Sequence, residues 1–245
     1  MRLDLALVHR GLARSRNQAA GLISDGRVLV AQKTVIKAST EIADETEITI
    51  TPALDLVGRA GFKLLRALET FGAVQIAGKT CLDVGASTGG FTQVLLNAQA
   101  ARVISLDVGH DQLVPELVAD PRVVNIEGYN ARLLKLDDLR LLSHDAELTV
   151  DLVVTDLSFI SLELVLPALV ATAPQAEMIL LVKPQFEVGR AGVGSGVVND
   201  RRKHNDVLIK MVRFVAELGW ATRGIVDSGL PGSHGNVEYL LWISP

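Results

Sequence analysis

From Gly61 to its end, the 245-residue sequence alternates short apolar runs with helical patterns, which restricts the chain to a mainly parallel sheet with helices on both faces. Strand candidates are residues 80–84, 103–107, 123–126, 152–156 and 178–182, followed by a long helix over residues 200–218. Residues 220–226 and 237–243 supply two last strands, with Pro231-Gly232-Ser233 between them as a direct hairpin return. Hydrophobic residues make up 49% of the chain and aromatics 4%, so Leu, Val, Ile and Ala must fill this core, as in sheets buried on both faces.

Residues 1–50 have another texture. Leu3, Leu5, Ala6, Leu7 and Leu12 mark a short amphipathic helix, and Ser15 can cap a second one from Arg16 to about Ser24, ended by Asp25-Gly26. Val28, Val30 and Val35 around a Gln32-Lys33 turn, then residues 47–50, read as short strands. The length suits such a small α+β module joined to one α/β domain. The expected division is residues 1–56, with the linker, and 57–245.

Charge separates the two parts. The chain carries net −4, yet residues 1–40 hold seven basic residues (Arg2, Arg10, Arg14, Arg16, Arg27, Lys33 and Lys37) against Asp4 and Asp25, hence +5. Exposed guanidinium groups around the helix junction can track a phosphate backbone, although a solvated basic face explains the charge equally well. The single cysteine, Cys81, excludes an intrachain disulfide and reads as a buried thiol, which fits a reducing compartment. With no signal-peptide pattern and no run of 18 apolar residues, the expected location is the cytoplasm, with no membrane partner. The five histidines lack metal-ligand spacing, and no metal is assigned.

The run Cys81-Leu-Asp-Val-Gly-Ala-Ser-Thr-Gly-Gly90 ends the first strand of the α/β part and opens a helix near Phe91. Gly85, Gly89 and Gly90 let the backbone turn tightly and admit a ligand where a β-carbon would clash. Asp107, 22 residues after Gly85, closes the next strand, where a carboxylate can accept both ribose hydroxyls of an adenosine. The dinucleotide fingerprint is Gly-x-Gly-x-x-Gly, whereas here Asp83 precedes Gly85 and three residues separate the glycines. An acid at that point repels a pyrophosphate but can pair with the amino group of methionine, so S-adenosylmethionine fits and NAD does not. Gly78-Lys79-Thr80 imitates a phosphate loop but precedes its strand and lacks the required glycine at position 73.

Asp156 and Lys183 end the fourth and fifth strands of the α/β part, at the edge where open parallel sheets bind ligands. A lysine closing the apolar run 178–182 needs an exposed tip or a carboxylate partner; an ordinary rim ion pair satisfies the same need. Lys63 and Glu238 complete a set that spacing alone would not select.

Two resemblances add to these readings. Residues 1 to about 50, with the Arg-Leu-Asp opening, Ser15-Arg16 and Gly26-Arg27-Val28, resemble the S-four-type RNA-binding domain. Gly61-Phe-Lys63-Leu, Asp83-Val-Gly-Ala-Ser-Thr-Gly-Gly-Phe-Thr92, Asp107-Val-Gly, Thr155-Asp-Leu-Ser-Phe-Ile160, Val182-Lys-Pro-Gln-Phe-Glu-Val-Gly189 and Gly235-Asn-Val-Glu-Tyr239 are similar to the FtsJ-like RNA ribose 2′-O-methyltransferases. The whole chain resembles the TlyA family, historically labelled haemolysin, which joins the two domains. The resemblance implies a Rossmann-like class I methyltransferase sheet behind the S-four-type domain. It further implies methylation of a cytidine ribose in 23S rRNA, within the assembled large subunit, and a catalytic tetrad of Lys63, Asp156, Lys183 and Glu238.

On this reading S-adenosylmethionine lies against Asp83, Gly85, Ala86, Ser87, Thr88, Gly89, Gly90, Phe91, Asp107 and Asp156, with Asn130 at the adenine, where Glu127 competes. Arg2, Arg10, Arg14, Arg16, Arg27 and Lys33 bind RNA. A free lysine titrates near roughly 10.4 and is a poor base at neutral pH unless a neighbouring cation or burial intervenes. Lys183 is the expected base, Lys63 that cation, and Asp156 and Glu238 orient them. Residues 189–196, with four glycines, form either a lid or a surface loop. Arg201, Arg202 and Lys203 oppose their helix dipole, as a phosphate site or as solvated charge. The alternatives are a non-catalytic rRNA-binding assembly factor and a membrane-active haemolysin.

Overall fold

The computed structural model describes residues 1–24, 26–50, 56–188, 198, 200–230, 232 and 235–245. The expected Asp25 helix end, the Pro231 and Ser233 positions of the hairpin return and the glycine-rich stretch 189–196 lie outside them.

The N-terminal unit packs helices α1 (Leu3–His9) and α2 (Arg16–Ser24) against strands β1 (Val28–Val30), β2 (Lys33–Thr34) and β3 (Ile48–Ile50). Leu3, Leu7, Ala19, Ile23 and Val28 are fully enclosed in its own small core. Ser15 Oγ accepts the Gln18 N–H at 3.2 Å, capping α2 as its position suggests. The strands form an antiparallel sheet ordered β2-β1-β3. Its first turn falls on Ala31 and Gln32, one residue earlier than expected, with φ of 48° and 63°. Both residues are left-handed, as a two-residue hairpin turn demands; neither is a usual residue there, which is why composition misplaced it.

Past α3 (Ala60–Phe71), strands β4 (Thr80–Val84), β5 (Arg102–Leu106), β6 (Val123–Ile126), β7 (Leu152–Thr155) and β8 (Glu177–Val182) run parallel. The remaining helices are α4 (Gly90–Asn97), α5 (Pro115–Val118), α6 (Leu136–Leu142), α7 (Leu166–Thr172), α8 (Pro184–Glu187) and α9 (Arg201–Glu217). Strands β9 (Ala221–Asp227) and β10 (Tyr239–Ser244) complete a seven-stranded sheet ordered β6-β5-β4-β7-β8-β10-β9. The last strand inserts antiparallel between β8 and β9 instead of extending the edge.

Alternate strand residues serve opposite faces. Leu82, Val84, Ile104, Val153, Leu180 and Val182 pack with α7 and α9. Cys81, Val103, Leu152, Val154, Ile179 and Leu181 pack with α3 and α4 on the other side. Cover on both faces explains why these strands read as largely apolar runs without polar alternation. Burial among them pushes the Cys81 thiol up to about 12, an inert core group. Successive strands are added on one side of β4 through β5 and β6 and on its other side from β7 onward, and this switch in strand order opens a crevice at the carboxyl ends of β4, β5 and β7.

Candidate active site

Glycine shapes the floor of that crevice. Gly85, at φ 86°, follows β4 and passes so close to β7 that a β-carbon would meet the Asp156 carbonyl oxygen at 2.6 Å. Where α3 crosses the start of α4, a β-carbon on Gly61 would lie 2.8 Å from the Gly90 carbonyl oxygen. Both contacts are with backbone, so neither site accepts a side chain without moving an element. The turn leaves Ser87 and Thr88 exposed beside a hollow of about 280 Å³ whose lining includes Gly58, Asp156, Ser158 and Lys183. Asp107 closes β5, and its carboxylate accepts the Ser87 and Gly109 N–H groups, each at 2.8 Å.

Asp83 departs from expectation. Its carboxylate is sealed beneath the turn and accepts the Thr92 hydroxyl at 2.7 Å, while Oδ1 has no partner. A group with no exposed surface does not face a ligand in this structure; Asp83 instead fastens β4 to α4. Burial raises its pKa to about 7, against the lowering effect of the Thr92 bond. Ala86 and Phe91 are likewise nearly enclosed, Phe91 within the α3–α4 core, although both border the hollow. Asn130 caps the short turn Ala131–Leu133 by accepting the Arg132 N–H at 3.1 Å. Glu127 accepts the Asp111 and Gln112 N–H groups at 2.7 and 3.2 Å, which hold its carboxyl below the usual range.

Four charged residues meet at the sheet edge as two ion pairs. Lys63 Nζ lies 2.6 Å from Glu238 Oε2, and Lys183 Nζ lies 2.7 Å from Asp156 Oδ1. Register explains much of this. Val182 pairs with Tyr239 in the antiparallel ladder, so the residues just beyond that rung, Lys183 and Glu238, flank the same opening. Lys63 comes from the buried side of α3. Lys63, Lys183 and Glu238 are buried, so each charge depends on its partner.

Several neighbours escaped the sequence reading. Lys183 Nζ also donates to Ser158 Oγ at 2.8 Å, and Gln185 Nε2 faces Glu238 Oε1 at 3.4 Å. Phe159 is 90% exposed at φ 64°, with its ring centroid 5.4 Å from that of Phe186. An aromatic ring left in water beside buried charges is a binding signal that only the fold could supply.

The basic N-terminal residues divide. Arg10 is turned inward: its guanidinium donates to the Thr46 carbonyl at 2.6 Å and to that of Asp44, holding the 43–46 turn instead of facing outward. Arg2 and Arg16 both reach buried Asp4 at 3.0 Å, and their hydrogen bonds lower its pKa. Arg14 and Lys33 are exposed, and Arg27 is half-buried. Arg201, Arg202 and Lys203 are exposed on the first turn of α9, capped by Asp200 accepting the Arg202 N–H at 2.9 Å. Among the described residues there is no cluster of three or more metal-binding side chains, and no helix is long and apolar enough to cross a membrane.

Comparison with known proteins agrees with this architecture. The family model described as FtsJ-like methyltransferase matches residues 56–244, and the S4 domain model matches residues 1–48. The chain is 48% identical over 246 residues to the 16S/23S rRNA (cytidine-2'-O)-methyltransferase TlyA of Mycobacterium tuberculosis, covering 99% of this chain and 89% of that protein. It is 34% identical over 263 residues to the 23S rRNA (cytidine-2'-O)-methyltransferase TlyA of Campylobacter jejuni, covering 99% and 98%. A solved structure from Streptococcus thermophilus, described under the name hemolysin, superposes with a TM-score of 0.74 at 35% identity, covering 100% of this chain and 88% of that one.

Proposed function

The chain belongs to the FtsJ-like methyltransferases, in the TlyA family that places an S4 domain ahead of the catalytic unit, and from that premise we propose that it methylates the ribose 2′-hydroxyl of a cytidine in ribosomal RNA, using S-adenosylmethionine. The observation that carries the reading is the meeting of two lysine–carboxylate pairs, 2.6 and 2.7 Å long, beside a glycine-floored crevice.

The residues present fit the cofactor. Gly85 and Gly90 keep the two ends of the turn free of side chains, Ser87 and Thr88 line its middle, and Asp107 offers a carboxylate at the end of β5 suited to ribose hydroxyls. When bound, S-adenosylmethionine supplies an electrophilic sulfonium methyl group. As its neutral amine, Lys183 takes the hydroxyl proton at Nζ while the ribose oxygen takes the methyl group from sulfur and leaves a neutral thioether; Asp156 then pairs with the ammonium so formed, and Ser158 fixes its direction. Lys63 and Glu238 hold the opposite wall, and alignment of the hydroxyl supplies much of the rate. Residues 1–56 grip the RNA, chiefly through the exposed Arg14 and Lys33, and residues 57–245 perform the transfer in the cytoplasm, where ribosomes assemble.

The proposed substrate is 23S rRNA in the assembled large subunit. Purified protein given labelled S-adenosylmethionine with 50S subunits, 30S subunits or naked rRNA should label the 50S subunits most, at a cytidine ribose. Lys183→Ala should abolish transfer while leaving cofactor affinity within about twofold, since the amine is placed to meet the hydroxyl and not the cofactor. Near-normal turnover by that variant would remove Lys183 from the chemistry, and absence of labelling by the parent protein on any RNA would remove the function.

A further inference from the structure

The segment that follows Lys183 is anchored by a buried carboxylate with no part in the proton transfer. Glu187 ends α8, four residues after Lys183, and is only 5% exposed. Its Oε1 accepts the Leu162 N–H at 2.8 Å, and its Oε2 accepts the Ser161 hydroxyl. Those donors open the short turn Leu162–Leu164, at the far end of the loop that starts with Asp156. The same loop is held at its near end by Lys183, through Asp156 and Ser158. Between these ties stand Phe159 and its ring contact with Phe186 of α8. The Lys183–Glu187 segment and the 156–162 loop are thus stitched together at both ends, by the lysine amine at one and Glu187 at the other, with the exposed aromatic ring between.

We propose that Glu187 is a positioning residue for methyl transfer, setting Lys183 and Phe159 in register for the RNA by clamping α8 to the 156–162 loop. The inference rests on the methyltransferase reading above. Both carboxylate oxygens act as acceptors, so the ionised form makes the clamp. Burial pushes the Glu187 pKa up, opposed by the Ser161 and Leu162 bonds and by the Lys210 charge, while Glu163 adds to the rise. Lys210 of α9 reaches both neighbours, lying 2.6 Å from Glu163 Oε2 and 3.4 Å from the Glu187 carbonyl oxygen. Protonation of Glu187 as pH falls turns one acceptor into a donor, which the Ser161 hydroxyl answers by accepting instead.

A glutamine can keep the geometry without the titration. Its carbonyl accepts the Leu162 N–H, and its amide donates to Ser161 Oγ, which reverses its role. The test measures kcat, KM for 50S subunits, S-adenosylmethionine affinity and melting temperature for Glu187→Gln, Glu187→Ala and Ser161→Ala. Glu187→Ala should lose about 10- to 100-fold in kcat with cofactor affinity unchanged, as expected for a small misplacement of reacting groups. Ser161→Ala should lose less. Glu187→Gln should keep kcat within about threefold of the parent at pH 8, because its amide reproduces both contacts. Normal kcat in Glu187→Ala overturns the proposal, as does equal loss in the Ala and Gln variants accompanied by weaker cofactor binding. An inactive wild-type protein, by contrast, would overturn the methyltransferase reading itself.

Discussion

The Lys63–Glu238 pair allows stability and chemistry to be separated. The side chains are 9% and 3% exposed and lie 2.6 Å apart, so neither charge has water to fall back on. Removing one partner from a buried pair leaves an uncompensated charge and costs about 3–5 kcal/mol, whereas replacing both with apolar groups of similar volume is often close to neutral. The two single variants should differ. After Lys63→Met, Glu238 retains a weak contact with Gln185 Nε2 at 3.4 Å, so the loss should fall near 3 kcal/mol. After Glu238→Leu, no other carboxylate of the described residues pairs with Lys63, and the loss should approach 5 kcal/mol. For a unit of this size each kcal/mol moves the melting temperature by about 2–4 °C, giving drops of roughly 6–20 °C.

The double variant Lys63→Met/Glu238→Leu should recover most of this stability and remain unable to transfer methyl groups. Reversible urea unfolding followed by circular dichroism, arranged as a double-mutant cycle, measures the coupling directly. Two single variants within about 1 kcal/mol of the parent, or a double variant whose loss is the sum of the two, would show that the pair is not energetically buried. A stable double variant with normal turnover would instead dismiss both residues from catalysis.

Asp83 gives a pH prediction of definite sign. Its pKa rises from near 3.8 to about 7 on folding, so between those values the folded state holds a proton that the unfolded state has released. Stability from this group is therefore complete below about pH 4 and is lost as pH rises through about 7. Asp83→Asn should flatten that part of the profile, read as urea midpoints at pH 5 and pH 8; an unchanged slope would contradict the burial argument. At the crevice rim, Phe159→Ala should leave stability within about 0.5 kcal/mol, since the ring is 90% exposed. If the ring stacks on a base, kcat/KM for 50S subunits should fall by ~5- to 150-fold, the equivalent of about 1–3 kcal/mol of stacking. An unchanged kcat/KM would leave the ring without a role in RNA binding.

Much of the fold was legible because strand burial leaves a local record. The runs ending at Thr155 and Val182 are apolar at nearly every position, since α3 and α4 cover one face and α7 and α9 the other. Strand order left no such record. The insertion of β10 between β8 and β9 depends on contacts across the sheet, and Leu240, Leu241 and Ile243 would be apolar at several sheet positions. The Ala31–Gln32 turn was misplaced for the opposite reason: tertiary pairing imposed positive φ on residues that do not ordinarily choose it.

The candidate site was legible in membership more than in wiring. Motifs nominated Lys63, Asp156, Lys183 and Glu238, but which lysine meets which carboxylate follows from the Val182–Tyr239 rung and from the face of α3 turned to the sheet. The same reasoning accounts for the residues that changed role. Arg10 and Asp83 have side chains that composition reads as ligand contacts, yet one caps backbone carbonyls of a turn and the other ties β4 to α4 beneath the glycine loop. In both cases a polar partner within the fold, buried Thr92 for Asp83 and the carbonyls of an exposed turn for Arg10, already holds the side chain. Phe159 is the converse: among the described residues its ring meets Phe186 and is otherwise open, and beside two ion-paired lysines that open surface suits stacking by a flat base.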